Sequence, residues 1–287
     1  MLNRNIETFL CCDAAFEEAD TVLFGAPFDC TTSYRPGTRF GSAAIRHESY
    51  GLESYSPYQD RDLLDALVFD SGDLELPFGS PERALADIEE RAALILQAGK
   101  RPFLLGGEHL VTLGAVRAAV KRFPDLHIVH FDAHADLRSE YLGVSLSHAC
   151  VLRRCWELVG DGRIFQFGIR SGDREEFRWG ASHVKTSRFS FEGLEETLRS
   201  LAGQPVYFTV DLDVLDPSVF PGTGTPEPGG VSFDELRRAA TLVCRSANVV
   251  ACDVNELSPP YDPSGNSTAA ACKIVREMLL ALLPEQA

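Results

Sequence analysis

Short apolar runs alternate with amphipathic stretches along the chain. Thr21–Pro27 reads as a buried strand, and Ala66–Phe69 as another that ends at Asp70-Ser71-Gly72-Asp73. Ser80 caps a helix with Pro81 at its first position. Apolar residues then recur at Ala84, Ile88, Ala92 and Ile95 until Gly99 stops the pattern. Further strands are predicted over Arg101–Leu105, Leu126–Phe131, Arg163–Gly168, Pro205–Val210 and Asn248–Cys252. Between them helices are predicted over Leu110–Arg122, Ser147–Val159, Phe233–Cys244 and, last, Thr268–Leu283. Such alternation predicts one α/β domain over residues 1–287, three layers deep, with a central, mostly parallel sheet between helices. The near-continuous apolar strands agree, because parallel strands are buried on both faces.

In sheets of this kind ligands bind beyond the carboxyl ends of the strands, and there the reactive residues gather. Gly106-Gly107-Glu108-His109 follows the strand ending at Leu105, and Asp132-Ala133-His134-Ala135-Asp136 follows the one ending at Phe131. Asp211-Leu212-Asp213 follows Val210, and Asp253-Val254-Asn255-Glu256 follows Cys252. In extended chain, alternate residues share a side, so Asp132, His134 and Asp136 would reach one centre, as would Asp211 with Asp213. Carboxylates packed so closely repel and take up protons unless cations neutralise them. Two divalent metals would do so, and oxygen donors with some imidazole and no thiolate suit a hard ion such as Mn²⁺. Alone, an Asp-x-Asp after a strand is commonly a turn or cap, and His109 alone could be a hydrogen-bonded loop residue. Their coincidence at three strand ends is what points to metal.

Other histidines carry less. His127 and His130 lie inside a strand as core or supporting groups, with His130 able to orient a ligand. His47 falls in a helix and His183 in an edge segment, both structural. His148 follows Leu137–Ser147, a loop long enough to fold over the site, and is the candidate for proton transfer. Glu256, at the last strand end before Pro259-Pro260, reads as facing substrate.

The formal net charge of −15 disfavours nucleic acid and anionic lipid as partners and suits a cationic small molecule. No apolar run approaches the roughly 20 residues of a membrane span, and the acid-bearing stretch Met1–Asp20 lacks the core of a secretory signal. The eight cysteines are scattered, with no Cys-x-x-Cys pair, which fits reduced thiols in a cytoplasm. Cys150 and Cys252 have no paired base and are not nucleophile candidates.

At these residues the chain resembles the ureohydrolase superfamily, the group of arginases and agmatinases. The matching pieces span nearly its whole length. They are Gly25-Ala-Pro-Phe-Asp29, Arg35-Pro-Gly-Thr-Arg-Phe-Gly41, Gly106-Gly-Glu-His109, Phe131-Asp-Ala-His-Ala-Asp136, Ser147-His148, Asp211-Leu-Asp-Val-Leu-Asp-Pro217, Gly222-Thr-Gly-Thr-Pro226 and Glu256. The resemblance implies the arginase-like α/β/α fold and a binuclear cluster of two Mn²⁺ per chain. His109, Asp132, Asp136 and Asp211 would bind one ion, and Asp132, His134, Asp211 and Asp213 the other. Water activated by the pair would attack a guanidinium carbon. Asp213 would pass a proton to the departing amine, His148 would shuttle protons, and Glu256 would pair with the guanidinium. A trimeric or hexameric homo-oligomer is implied as well.

Two positions depart from the family pattern. Glu108 replaces a more frequent Asp, and Arg138 stands where arginases carry an Asn that holds the amino-acid head. With the Asp-Leu-Arg and Ser-His elements, the second departure implies agmatine as substrate, yielding putrescine and urea. Guanidinobutyrate, aminopropylagmatine, arginine or formiminoglutamate are the alternatives within the family. A single-zinc deacetylase of related fold would not need the doubled Asp-x-Asp. A non-catalytic relative would not need all six metal ligands with His148 and Glu256.

Overall fold

In the computed structural model, which describes residues 7–284, eight parallel strands form one sheet in the order β4-β1-β5-β10-β9-β6-β7-β8. In chain order the elements are β1 (Thr21–Gly25), α1 (Gly41–Ser49), β2 (Tyr55–Ser56), β3 (Arg61–Asp62), β4 (Val68–Asp73), α2 (Pro81–Gln97), β5 (Arg101–Leu105), α3 (Thr112–Arg122) and β6 (His127–Phe131). They continue with α4 (Val151–Val159), β7 (Ile164–Ile169), α5 (Arg174–His183), β8 (Lys185–Arg188), α6 (Leu194–Ser200), β9 (Pro205–Asp211), α7 (Phe233–Ser246), β10 (Asn248–Asn255) and α8 (Asn266–Ala281). Only β2 and β3 stand apart, as a small antiparallel hairpin. The first six residues of the opening stretch read above lie outside the described residues.

Strand alternation feeds two cores. Val206, Phe208 and Val210 of β9 pack under α6, α7 and α8, whereas Tyr207 points into the core beneath α2, α3 and α4. Fully buried strand residues on both faces are what a parallel sheet covered by helices requires. No helix among the described residues is long and apolar enough to cross a membrane.

The predicted strands and helices are present, with shifted ends. β4 runs on through Asp70 and Asp73 because Arg46 of α1 neutralises both. Its Nε and Nη2 donate to Asp70 at 2.8 and 3.0 Å, and Nη1 to Asp73. Ser80 holds the cap position of α2, but its hydroxyl makes no capping hydrogen bond. Apolar patterning overlooked α5, β8 and α6. Only Glu176 and Gly180 of α5 are buried, and β8 is the polar edge strand Lys-Thr-Ser-Arg. His183 is accordingly the last residue of α5, two positions before that edge strand begins at Lys185, and not part of it.

Candidate active site

The four middle strands, β5, β10, β9 and β6, end level with one another. Leu105 pairs with Val254, Asn255 with Asp211, and Val210 with Phe131. The residues that follow each strand therefore emerge along one line of the sheet's carboxyl edge. Gly107 is required there: a Cβ would meet the Phe28 backbone nitrogen at 2.7 Å. That close approach lets the loop after β1 lie over the site, where Asp29 accepts from Gly37 N at 2.8 Å and pairs with Arg39. Two of the recognised motifs thus form one ion-paired loop.

The predicted residues come together in two adjoining groups that share Asp132. Around His109 Nδ1 lie Asp132 Oδ2 and Asp136 Oδ2, both at 3.1 Å, and Asp211 Oδ2 at 3.4 Å. Around His134 Nδ1 lie Asp213 Oδ2 at 3.0 Å and Asp132 Oδ1 at 3.5 Å. Asp211 touches the second group through its Oδ1, which accepts from Asp213 N at 2.9 Å. Extended-chain alternation accounts for only part of this geometry, with His134 in a parallel bridge to Ser171. Asp136 has φ +53°, and Leu212–Val214 is a 3-10 turn, so tight turns aim the carboxylates.

Behind these groups runs a buried polar row that the sequence reading largely missed. Asp253, Thr209, His130 and Gln166 stand in register across β10, β9, β6 and β7, and Thr186 of β8 extends the row. A carbonyl can only accept, so Ala135 O at 2.7 Å orients the Gln166 amide nitrogen, which also donates to His130 Nδ1 at 3.1 Å. The His130 proton is then on Nε2 and goes to Asp132 Oδ2 at 2.8 Å. Three ligand-type atoms of His109, His130 and Asp132 do lie close together. With both ring nitrogens engaged, however, His130 supports Asp132 and does not itself face the centre. Likewise His109 Nε2 sits 2.9 Å from Thr209 Oγ1. Beside it, Asp253 accepts from Thr112 Oγ1 at 2.8 Å, Tyr207 Oη at 2.5 Å and Asn255 Nδ2 at 2.7 Å. The signal available in the sequence was polar residues inside apolar strands: Thr209, Asp253 and Gln166.

His109 Nδ1 has three carboxylate oxygens around it, yet none is aligned for a hydrogen bond. A buried ring nitrogen facing three anionic oxygens requires positive charge between them, either a proton on the ring or a bound cation. Burial disfavours charge on His109, but Asp132, Asp136 and Asp211 outweigh it and hold the ring well above ordinary imidazole. Burial, then Asp132, pushes Asp136 up to about 7, and burial with Asp213 and Asp132 pushes Asp211 well up. Either protons or metal ions must fill the centre, and its oxygen and imidazole donors fit a hard divalent ion. Cys150 does not compete: burial raises its thiol to about 12.

A cavity of about 530 Å³ opens onto the groups, lined by His134, Asp136 and His148, and farther out by Arg138, Tyr141 and Glu227. His148 Nε2 is 3.4 Å from Ser33 Oγ. Burial and His134 lower its pKa to about 4. Glu108 does more than sit beside His109. It accepts from Thr31 N at 2.9 Å and from Thr31 Oγ1 at 2.6 Å, and that hydroxyl in turn accepts from His148 N at 3.1 Å. Glu256 is buried with φ +66°, its Oε1 accepting from His109 N at 2.7 Å. Arg138 is engaged within the protein: Nε is 3.3 Å from Glu176, Nη1 is 3.6 Å from Asp173, and the guanidinium lies 4.6 Å over the Tyr141 ring.

Comparison with known proteins agrees with this architecture. The profile of the Arginase family matches residues 19–281. The agmatinase of Bacillus subtilis is 49% identical over 280 residues, covering 96% of this chain and 97% of that protein. The guanidinobutyrase of Pseudomonas aeruginosa is 34% identical over 94% of this chain and 88% of its own length. The crystal structure of the agmatine ureohydrolase of Thermoplasma volcanium superposes with a TM-score of 0.88 at 36% identity, covering 97% of this chain and 95% of that one. The strand order, the carboxylate-rich edge and these matches make the chain a member of the arginase family, a ureohydrolase that cleaves a carbon–nitrogen bond of a linear amidine.

Proposed function

We propose that the chain hydrolyses agmatine to urea and putrescine with two Mn²⁺ ions. The observation that carries this reading is a pair of His/Asp groups joined at Asp132, beneath a cavity where one lining cation, Arg138, is engaged by Glu176 and Asp173. His109, Asp132, Asp136 and Asp211 would hold one ion, and Asp132, His134, Asp211 and Asp213 the other. When bound, such a pair supplies Lewis acidity and lowers the pKa of water.

The chain's own groups have separate tasks. Glu256 receives the guanidinium with Oε2, while His109 N fixes its Oε1. Asp213, held by Thr225 Oγ1 at 3.3 Å, carries a proton on Oδ2 to the departing nitrogen. His148, tied to Glu108 through Thr31, exchanges protons with solvent at its ring. Water adds to the guanidinium carbon, the bond to the alkyl nitrogen breaks, and the products are urea and a protonated amine.

Arg138 could have served as a receptor for an amino-acid carboxylate, but its three contacts leave it no such role. Losing a charge-assisted contact costs about 1.5–3 kcal/mol. At identical Mn²⁺ loading, kcat/KM for agmatine should therefore exceed that for arginine by roughly tenfold to a hundredfold. Equal urea release from arginine would refute the assignment. One observation favours a second reading: among the described residues, Arg35 at the cavity rim has no carboxylate within 4 Å and stacks 4.9 Å from Tyr34 and 5.3 Å from Tyr261. A free guanidinium there suits an anionic tail, as in 4-guanidinobutyrate, and the same assay includes that substrate.

A further inference from the structure

Four carboxylates line the cavity, from Asp136 at its inner end and from Asp173, Glu176 and Glu227. Three are occupied within the protein. Asp136 faces His109. Asp173 caps α5 and stands by Arg138. Glu176 accepts from Leu137 N at 3.0 Å and Asp173 N at 2.7 Å besides pairing with Arg138. Glu227 differs. Its Oε1 accepts from Ser171 Oγ at 2.9 Å, and among the described residues no Lys, Arg or His lies within 4 Å of its carboxylate.

Its placement is rigid. Arg170 donates through Nη2 to the carbonyls of Asp213 at 2.7 Å and Glu227 at 2.8 Å, through Nε to the Glu227 carbonyl at 3.1 Å, and through Nη1 to the Val214 carbonyl at 3.0 Å. The guanidinium is engaged by carbonyls and clamps two backbone segments together, one bearing Asp213 and the other Glu227. Gly230 makes room for the clamp, since a Cβ there would meet Arg170 Nη2 at 2.7 Å. Thr225, two residues before Glu227, touches Asp213 Oδ2. Two residues of chain span at most about 7 Å. By ordinary bond lengths, a four-carbon spacer puts a terminal nitrogen about 7 Å from the guanidinium carbon.

We propose that Glu227 is a specificity-determining residue: its carboxylate receives the far ammonium of the substrate while the guanidinium is held deeper, beside Asp213. This rests on the agmatine reading and goes beyond it by assigning the cavity's outer end to a cationic tail. A carboxylate in the same cavity, on a backbone tied to the Asp213 segment, favours an alkyl chain ending in an amine and repels one ending in a carboxylate.

The test compares agmatine with n-butylguanidine, which has the same chain without the amine, and with 4-guanidinobutyrate, on the metal-loaded enzyme. Glu227→Gln keeps the size and the acceptor for Ser171. It should lower kcat/KM for agmatine about tenfold, mainly through KM, and leave n-butylguanidine within about twofold. Glu227→Lys should move preference toward 4-guanidinobutyrate. Calorimetric titration with putrescine should show the same weakening without turnover. Equal slowing of agmatine and n-butylguanidine would make Glu227 merely structural and overturn the inference. A wild-type preference for agmatine that survives Glu227→Gln unchanged overturns the inference alone. A wild-type preference for 4-guanidinobutyrate overturns both it and the agmatine reading.

Discussion

His148 shows how much one side chain owes to residues far from it in sequence. Its backbone nitrogen is bound to Thr31, Thr31 to Glu108, and Glu108 precedes His109, so three loops fix one imidazole. The ring lines the cavity and belongs to neither His/Asp group. His148→Asn should therefore retain the metal content while the rate falls on the order of 10²-fold, the usual loss of general acid–base help. Metal analysis beside steady-state kinetics checks this; departure of metal with the imidazole would make His148 a ligand instead. At this scale the candidate centre was legible because its residues fall in short runs at strand ends, as with Asp132, His134 and Asp136. Glu227 was not, because a lone glutamate in a Pro- and Gly-rich loop has no pattern; only the Arg170 clamp reveals where it stands.

Strands matter here for the row they align as much as for the ends they supply. Thr209 and Asp253 are paired across β9 and β10, and Thr209 pairs with His130 of β6 on its other side. A period-two reading of β9 classes Thr209 as one β-branched residue among apolar neighbours, which is sound for the strand and silent about its hydroxyl. Register is what brings that hydroxyl to His109 Nε2, and register cannot be read from one strand alone. The same limit hid β8, the polar edge strand Lys-Thr-Ser-Arg, and α5, which buries only Glu176 and Gly180 fully while Phe177 and Trp179 pack partly buried. Groups that orient ligating histidines commonly change metal affinity 10–100-fold. Thr209→Val keeps the shape and removes the hydroxyl, so Mn²⁺ affinity in a competitive chelator titration should fall by about that factor. Circular dichroism should remain that of the wild type. Unchanged affinity would show that the row serves only packing.

Across the whole molecule, an α/β/α body with a net charge of −15 gathers Asp132, Asp136, Asp211, Asp213 and Glu256 at one edge of its sheet. All five are buried, and burial is the largest influence raising Asp136, Asp211 and Glu256. Without cations the folded chain must hold protons on some of these groups or bear their repulsion; the unfolded chain, with the same residues in water, bears neither. Cations bound only by the folded form thus stabilise it by mass action, by about 2.7 kcal/mol for one site at a concentration 100 times its Kd. For a chain of this length each kcal/mol raises Tm by roughly 2–4 °C. Two occupied sites should together raise it by about 10–20 °C, with the rise reversed by a chelator. Scanning calorimetry across an Mn²⁺ titration, paired with metal analysis of the saturated protein, checks the size of the shift and a stoichiometry of two. Saturation at one ion would break the division of ligands around Asp132. A Tm indifferent to Mn²⁺ would mean that protons alone neutralise the centre, and the two-metal reading would fall with it.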